Sequence, residues 1–387
     1  MEPSKDNSYC YYPFKQIAIS HWNSDGIQCV NPCCNMASPL DPDPLQTNKD
    51  IHNDVNKLFD LPQLQNIRTQ MLNGEYPSAC NTCYEAEKYG SSPRLMLDTT
   101  VNNKLEWLDI HLGNKCNLRC RMCHPALSNQ LNKDAELFKQ DGYEYWWTSV
   151  PDIAPHDISV LYPVLEQITN IRVSGGEPLL SKEYLQLLDY CIDNDLSKNI
   201  SLELHTNATK FSNTNVQRLN KFKHVNATFS IDGINKVYEY TRYPFAFSIL
   251  ENNIKNFFEN VKNYTVQINY VATIYNMFNV RETIYWAEQF PISDFVVTNV
   301  YPQGRNIDVC WAPYNLLQIA RENLLAMTKK YQTESFTNYL QDCVINNKYS
   351  IEKIKELKQE TLQFDKNRNQ NYKDYLHNMT IGLLDSV

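Results

Sequence analysis

The chain has 387 residues, with 36 Lys plus Arg against 44 Asp plus Glu and a formal charge of −8. That acidic balance argues against a sequence-independent nucleic-acid binder, which needs a basic face. No apolar run is long enough to cross a bilayer, and Met1-Glu2-Pro3-Ser4-Lys5-Asp6 lacks the basic and apolar regions of a signal peptide, so a cytoplasmic protein is expected.

Cysteines dominate the start of the chain. Nine of the twelve fall within the first 123 residues, and six of those nine are Cys10, Cys29, Cys33, Cys34, Cys80 and Cys83. So many thiols suit a reduced enzyme only if most bind metal. The alternating run Gln16-Ile17-Ala18-Ile19-Ser20 and the Asp25-Gly26 turn predict a β-hairpin. One cysteine before the hairpin, one after it and the distant pair Cys80-Asn81-Thr82-Cys83 can converge on one metal. Structural zinc on four thiolates is one such arrangement. Tyr84–Glu87 begins a short helical segment, and Ser91-Ser92-Pro93-Arg94 reads as a linker. The isolated Cys191, Cys310 and Cys343 read as buried thiols.

From about 105 to 305 the pattern alternates. Strands are predicted at Leu105–Leu112, Asn170–Val173, Ile200–Leu204, Val225–Ile231, Thr265–Thr273 and Phe295–Val300. Amphipathic helices are predicted at Lys182–Asp195, Asn213–Lys223, Phe247–Val261 and Val280–Gln289. Six βα-like units imply a parallel sheet with helices outside it, and ligands then sit at the carboxyl ends of the strands. After the first strand comes Lys115-Cys116-Asn117-Leu118-Arg119-Cys120-Arg121-Met122-Cys123, a C-x3-C-x2-C run with no fourth cysteine nearby. A cubane iron–sulfur cluster usually takes four thiolates, so three leave one iron open. Zinc is the rival reading, with His124 completing a Cys3His set. After the second strand comes Val173-Ser174-Gly175-Gly176-Glu177-Pro178. Paired glycines allow a close backbone approach, and the carboxylate can accept hydrogen bonds from an ammonium group.

Together these two motifs resemble the radical S-adenosylmethionine (radical SAM) superfamily. The resemblance implies an α/β fold with a partial (β/α)6 barrel. Cys116, Cys120 and Cys123 would hold a [4Fe–4S] cluster whose open iron is chelated by the methionyl end of SAM. Gly175, Gly176 and Glu177 would hold the methionyl ammonium. Met122 stands where the family often has an aromatic residue near the adenine. Other strand ends fit the same plan. His205-Thr206-Asn207 follows the third strand, Ser230-Ile231-Asp232-Gly233 closes the fourth, Thr273 and Asn276 end the fifth and Tyr301-Pro302 the sixth. Ser230, Arg242 and Asn207 are the further candidates for SAM contact, although Asp232-Gly233 also reads as a common turn and Asn207 as a helix cap.

The N-terminal cysteines resemble a SPASM/twitch-type auxiliary cluster domain, placed before the barrel instead of after it. That resemblance implies a second [4Fe–4S] cluster on Cys10, Cys33, Cys80 and Cys83, with Cys29 or Cys34 as replacements for Cys33. The expected division is 1–100 for a small cysteine-rich hairpin/helix domain, 101–305 for the barrel and 306–387 for a helical C-terminal region. Leu316, Leu317, Ile319, Ala320, Leu324, Leu325 and Met327 share one helical face, and Lys353–Gln363 is amphipathic, so this region reads as a packed cap without a catalytic role. Tyr143, Tyr145, Trp146 and Trp147 read as packing in preference to a lid.

The expected activity is reductive cleavage of SAM and abstraction of a substrate hydrogen. A ferredoxin- or flavodoxin-like electron donor is implied, and a peptide or protein side chain is the expected target by analogy. A radical dehydrogenase or epimerase of a small molecule or sugar is the alternative. A zinc-stapled binding protein is the alternative of another class.

Overall fold

The computed structural model describes residues 8–23, 26–33, 45–46, 53–87, 94, 103–152, 157–300, 303–325, 331 and 333–387. Cys34, the Asp25 side of the hairpin turn, the Ser91–Pro93 linker and Tyr301-Pro302 lie outside them. The strands are β1 (Gln16–Asn23), β2 (Gly26–Asn31), β3 (Leu45–Gln46), β4 (Trp107–His111), β5 (Asn170–Ser174), β6 (Ser201–Thr206), β7 (His224–Ser230), β8 (Tyr264–Ala272) and β9 (Asp294–Asn299). The strand order is β3-β2-β1-β4-β5-β6 for the first six and β7-β8-β9 for the last three. Each of the six strands expected from 105 to 305 is present, with ends shifted by a residue or two. The four expected helices form at Lys182–Asp193, Asn213–Leu219, Phe247–Asn260 and Val280–Ala287.

Two compact units divide the chain. The first draws on Met1–Gly113, Ile153–His205 and Gln217–Val225, and the second on Asn114–Asp152, Thr206–Val216 and Asn226–Val387.

In the first unit, β4, β5 and β6 run parallel in continuous register. The hairpin joins them: β1 pairs parallel with β4 from Gln16↔Trp107 to Ile19↔Ile110 and antiparallel with β2. The physical reason is the pleat. Ile17, Ile19, Leu108, Ile110, Ile171, Val173, Leu202 and Leu204 alternate along their strands and are all buried, so one face of every strand is apolar. An apolar strand beside the open edge of β4 both buries that face and covers the edge. The neighbouring positions are polar instead. Asp109 pairs with Arg172 and Arg172 with Glu203 across the sheet, with nitrogen–oxygen distances of 3.8 and 3.9 Å. The helix Lys182–Asp193 is capped by the Ser181 hydroxyl and buries Tyr184, Leu187, Leu188 and Cys191 at helical spacing.

In the second unit, β8 and β9 are parallel. The helix Phe247–Asn260 buries Phe247, Leu250, Ile254 and Phe257. The Phe257 ring meets Phe211 at 4.8 Å and Phe229 at 5.1 Å between centroids. Further helices run at Tyr314–Leu325, Glu334–Ile345, Ile351–Arg368 and Asn378–Asp385. A second apolar cluster of Leu131, Phe138, Trp147 and Phe364 lies against Tyr143, Tyr145 and Cys123. Three of the four aromatic residues from 143 to 147 therefore pack, while Trp146 stays 46% exposed.

Truncating Phe257 to Ala removes the ring that both Phe211 and Phe229 touch. We expect a loss of about 3–5 kcal/mol, measured as a lower midpoint of urea unfolding at unchanged slope.

Candidate functional site

The cysteine loop lies in the second unit. It is not a helix or strand, so its backbone groups are satisfied by surrounding segments. The Cys116 N–H donates to Asn129 Oδ1 at 3.3 Å, and the Ser128 hydroxyl donates to the Leu118 carbonyl at 2.6 Å. The Arg119 N–H donates to the Tyr243 carbonyl at 2.6 Å, and the Arg121 N–H to the Thr241 carbonyl at 2.9 Å. Arg305 closes the far side, its guanidinium donating to the carbonyls of Met122 at 2.6 Å and Arg121 at 3.3 Å.

Cys120 is buried, and Cys116 and Cys123 are half-buried. Burial pushes the Cys120 and Cys123 thiols up, while the Arg242 guanidinium pulls both down. Arg242 Nη1 lies 4.0 Å from Cys120 Sγ. Its Nη2 lies 2.6 Å from Asp232 Oδ2, and both side chains are buried. Asn207 Nδ2 donates to Cys116 Sγ at 3.8 Å and to Asn117 Oδ1 at 3.1 Å. Thr209 completes this network, donating through N–H and hydroxyl to Asn207 Oδ1 at 3.0 and 2.6 Å. The sequence candidates Asn207 and Arg242 thus reach the cysteine sulfurs. Ser230 ends β7 and is half-buried.

An all-thiol donor set with two N–H donors aimed at its sulfurs fits an iron–sulfur cluster. Among the described residues no group of three or more His, Cys, Asp or Glu side chains stands together as a metal-ion site. His124 is engaged elsewhere: its Nδ1 accepts from the Ala126 N–H at 3.0 Å and its ring lies 5.3 Å from Trp146.

Sequence reading missed the contribution of the C-terminal helix Ile351–Arg368. Arg121, between the second and third cysteines, is 1% exposed. Its Nη2 donates to Asp365 Oδ1 at 2.6 Å and its Nε to the Tyr240 carbonyl at 3.1 Å, while Tyr240 stacks on the guanidinium at 3.6 Å. Asp365 also accepts from the Tyr240 hydroxyl at 2.9 Å and the Tyr372 N–H at 2.6 Å. Arg368 pairs with Asp134 at 2.9 Å, with both side chains buried. Glu360 accepts from the Tyr145 hydroxyl at 2.7 Å. These charges occupy the stripe of Ile354, Leu357, Thr361 and Phe364. Their place on that stripe was the available signal.

The Gly-Gly-Glu-Pro turn belongs to the first unit. Gly175 and Gly176 take φ of +87° and +56°, a region that favours glycine. A Cβ on Gly175 would lie 2.6 Å from His111 Nε2 and 2.7 Å from the Gly113 carbonyl. Glu177 is buried, and its carboxylate accepts from the Leu179 N–H at 3.3 Å. On the same unit His205, at the end of β6, is held down to about 4 by burial and by Arg172, so its ring is neutral near pH 7. Burial raises the nearby Glu203 carboxyl.

The N-terminal cysteines also lie in the first unit. The Cys10 thiol is pushed up to about 12, chiefly by burial and then by the proximity of Cys80 and Cys83. Cys80 is pushed up to about 12 by burial and by Cys83. Arg94 opposes both shifts. It donates to the Tyr9 carbonyl at 2.8 Å and pairs with Glu87. Cys10, Cys80 and Cys83 are therefore close enough to sense one another's charge. Cys29 is raised by burial alone, and Cys33 is half-buried just beyond β2.

Residues 110–285 match the radical SAM superfamily. A GTP 3',8-cyclase of Desulforamulus reducens is 27% identical over 140 residues, 36% of this chain and 38% of that protein. Among solved structures, Streptococcus suis SuiB bound to precursor peptide SuiA aligns with a TM-score of 0.41 and 18% identity, over 74% of this chain and 54% of that one. Native anSMEcpe with bound AdoMet aligns at 0.37 and 16%, over 56% and 58%. TsrM from Kitasatospora setae, with cobalamin and a [4Fe-4S] cluster bound, aligns at 0.36 and 11%, over 53% and 39%. The alignments span roughly two-fifths to three-fifths of those proteins' lengths. Among the described residues no helix is long and apolar enough to cross a membrane.

Replacing Asp365 with Ala leaves the Arg121 charge buried without its partner. We expect a loss of about 3–5 kcal/mol, together with reduced iron uptake although all three loop cysteines remain. Glu356→Ala on the exposed face of the same helix should stay within about 0.5 kcal/mol of the parent. Chemical denaturation and iron counts of the three proteins check this.

Proposed function

We infer that this chain, a radical SAM superfamily enzyme through residues 110–285, cleaves SAM to abstract a hydrogen from a peptide or protein side chain. The observation that carries the radical chemistry is the cysteine loop: three thiols in one loop, with neighbouring N–H donors directed at Cys116 and Cys120 and His124 Nδ1 already engaged. A [4Fe–4S] cluster held there would supply the electron for reductive cleavage of the SAM sulfonium, yielding methionine and the hydrogen-abstracting 5′-deoxyadenosyl radical.

In this proposal Cys116, Cys120 and Cys123 would hold that cluster. The backbone of Gly175 and Gly176 and the Glu177 carboxylate receive the methionyl ammonium, and Ser230 contacts SAM. Cys10, Cys80 and Cys83, with Cys33 as fourth ligand, hold an auxiliary [4Fe–4S] cluster, Cys29 or Cys34 being the replacements for Cys33. The proximity of Cys10, Cys80 and Cys83 supports that second site. Residues 1–100, 101–305 and 306–387 are its proposed functional divisions. A ferredoxin- or flavodoxin-like donor supplies electrons in the cytoplasm. The peptide target rests on resemblance to the SPASM/twitch group. The polar row Asp109, Arg172 and Glu203, with neutral His205, supports a substrate rich in hydrogen-bonding groups.

Anaerobic reconstitution should load about eight irons per chain, four for each cubane. Reduction in the presence of SAM should release 5′-deoxyadenosine. Changing Cys116, Cys120 and Cys123 to Ala should remove about half of the iron and all cleavage, whereas Cys80→Ser should lower iron and spare the SAM-binding cluster. Persistent 5′-deoxyadenosine from the triple variant would overturn the site assignment. Deuterated peptides should transfer label into 5′-deoxyadenosine; transfer from deuterated sugars alone would move the assignment to the small-molecule dehydrogenase or epimerase class.

A further inference from the structure

Arg242 is positioned against the cysteine loop by backbone pairing. Two hydrogen bonds tie the loop to the carboxyl end of the helix Asn235–Thr241 and the residues just after it: Arg119 N–H to the Tyr243 carbonyl and Arg121 N–H to the Thr241 carbonyl. As one chain advances by two residues, the other recedes by two. This antiparallel register leaves Cys120 directly opposite Arg242. The guanidinium answers that placement with Nη1 at 4.0 Å from Cys120 Sγ. Its other terminal nitrogen is held by Asp232 at 2.6 Å. Asp232 is fixed in turn, its Oδ1 accepting from the Val271 N–H at 2.7 Å and its carbonyl from Asn276 Nδ2 at 3.1 Å. The fork is thereby directed at the thiol from a rigid, buried base.

A second donor reaches a second sulfur by independent means. Asn207 precedes Ala208, which is fully buried and held at a φ of +59°, a left-handed conformation that a non-glycine residue adopts at a cost. The Thr206 hydroxyl accepts from the Ala208 N–H at 3.0 Å, and Asn253 Nδ2 donates to the Ala208 carbonyl at 3.4 Å. This constrained turn presents the Asn207 amide to Cys116 Sγ at 3.8 Å.

We propose that Arg242 and Asn207 serve the cluster's sulfurs, setting its reduction potential, with Asp232 setting how much of the Arg242 charge the cluster senses. Positive charge and N–H donors beside cluster thiolates favour the reduced, more negative state and raise the potential. In a buried site that influence is poorly screened. A carboxylate against the guanidinium partly offsets it. The sequence reading gave Arg242 and Asn207 to SAM; here they act as positioning and tuning groups on the cluster ligands. This inference rests on the cluster assignment above.

The test is a midpoint titration of the reconstituted full-length chain without SAM, followed by electron paramagnetic resonance. Arg242→Gln should lower the reduction equilibrium constant about tenfold, which is about 59 mV for a one-electron couple. Arg242→Lys should recover most of that shift, Asn207→Ala should move the potential the same way by less, and Asp232→Asn should move it upward. The Asp232→Asn and Arg242→Lys proteins keep the test decisive if Arg242→Gln loads no iron. Iron-loaded variants with unchanged potentials but weakened SAM binding would overturn the proposal and return Arg242 to the SAM carboxylate. A parent protein that takes up no iron would instead overturn the cluster assignment itself.

Discussion

A loop that presents three cysteines satisfies only part of its own backbone, and the second unit is built around that constraint. Neither helix nor strand runs through residues 112–128, so the peptide groups that find no partner within the loop need one from outside it. Thr241, Tyr243, Asn129 and Arg305 supply partners for Arg121, Arg119, Cys116 and Met122. The same hydrogen bonds that satisfy the backbone decide where each thiol points. Shape and chemistry are set by one set of contacts.

The largest consequence is for Arg121. A guanidinium placed between two cysteines and buried to 1% exposure must be neutralised nearby, because leaving it unpaired costs more than any packing gain returns. Asp365 does this from more than two hundred residues away in the chain. The terminal helices are therefore part of the cysteine site's support. Their apolar stripe, Ile354, Leu357, Thr361 and Phe364, brings the helix in, and its buried charges, Glu360, Asp365 and Arg368, fix its register. The cluster of Leu131, Phe138, Trp147 and Phe364 seals the apolar side next to Cys123.

The first unit solves a different problem. Its strands carry apolar residues on one face and a charged row on the other, and β1 lengthens the sheet beside β4. Asp109, Arg172 and Glu203 satisfy one another across neighbouring strands, which lets a polar surface coexist with a fully apolar one on a single sheet. Gly175 is required by packing within this unit, since His111 and Gly113 leave no space for a side chain. The glycine pair thus has a structural duty in addition to any contact with a ligand.

Much of this was legible in the residues alone. Period-two alternation identified β4 through β9, because one face of each strand must be apolar, and period-3.6 spacing identified the helices between them. The C-x3-C-x2-C run made Cys116, Cys120 and Cys123 the cluster candidates, because metal binding gives three clustered thiols and an open fourth position a common purpose. Partnerships between distant residues were not legible. Lys353–Gln363 reads as a charged amphipathic helix of a packed cap, but the inward turn of Glu360 and its neighbours Asp365 and Arg368 was not readable, since a charge's partner is set by tertiary register and leaves no local periodicity. In the same way Arg242 carries no sign in the sequence that it will stand opposite Cys120. The sequence determined the elements and the donor atoms; the tertiary structure decided which buried charges meet, because that depends on distances between segments that the chain order does not encode.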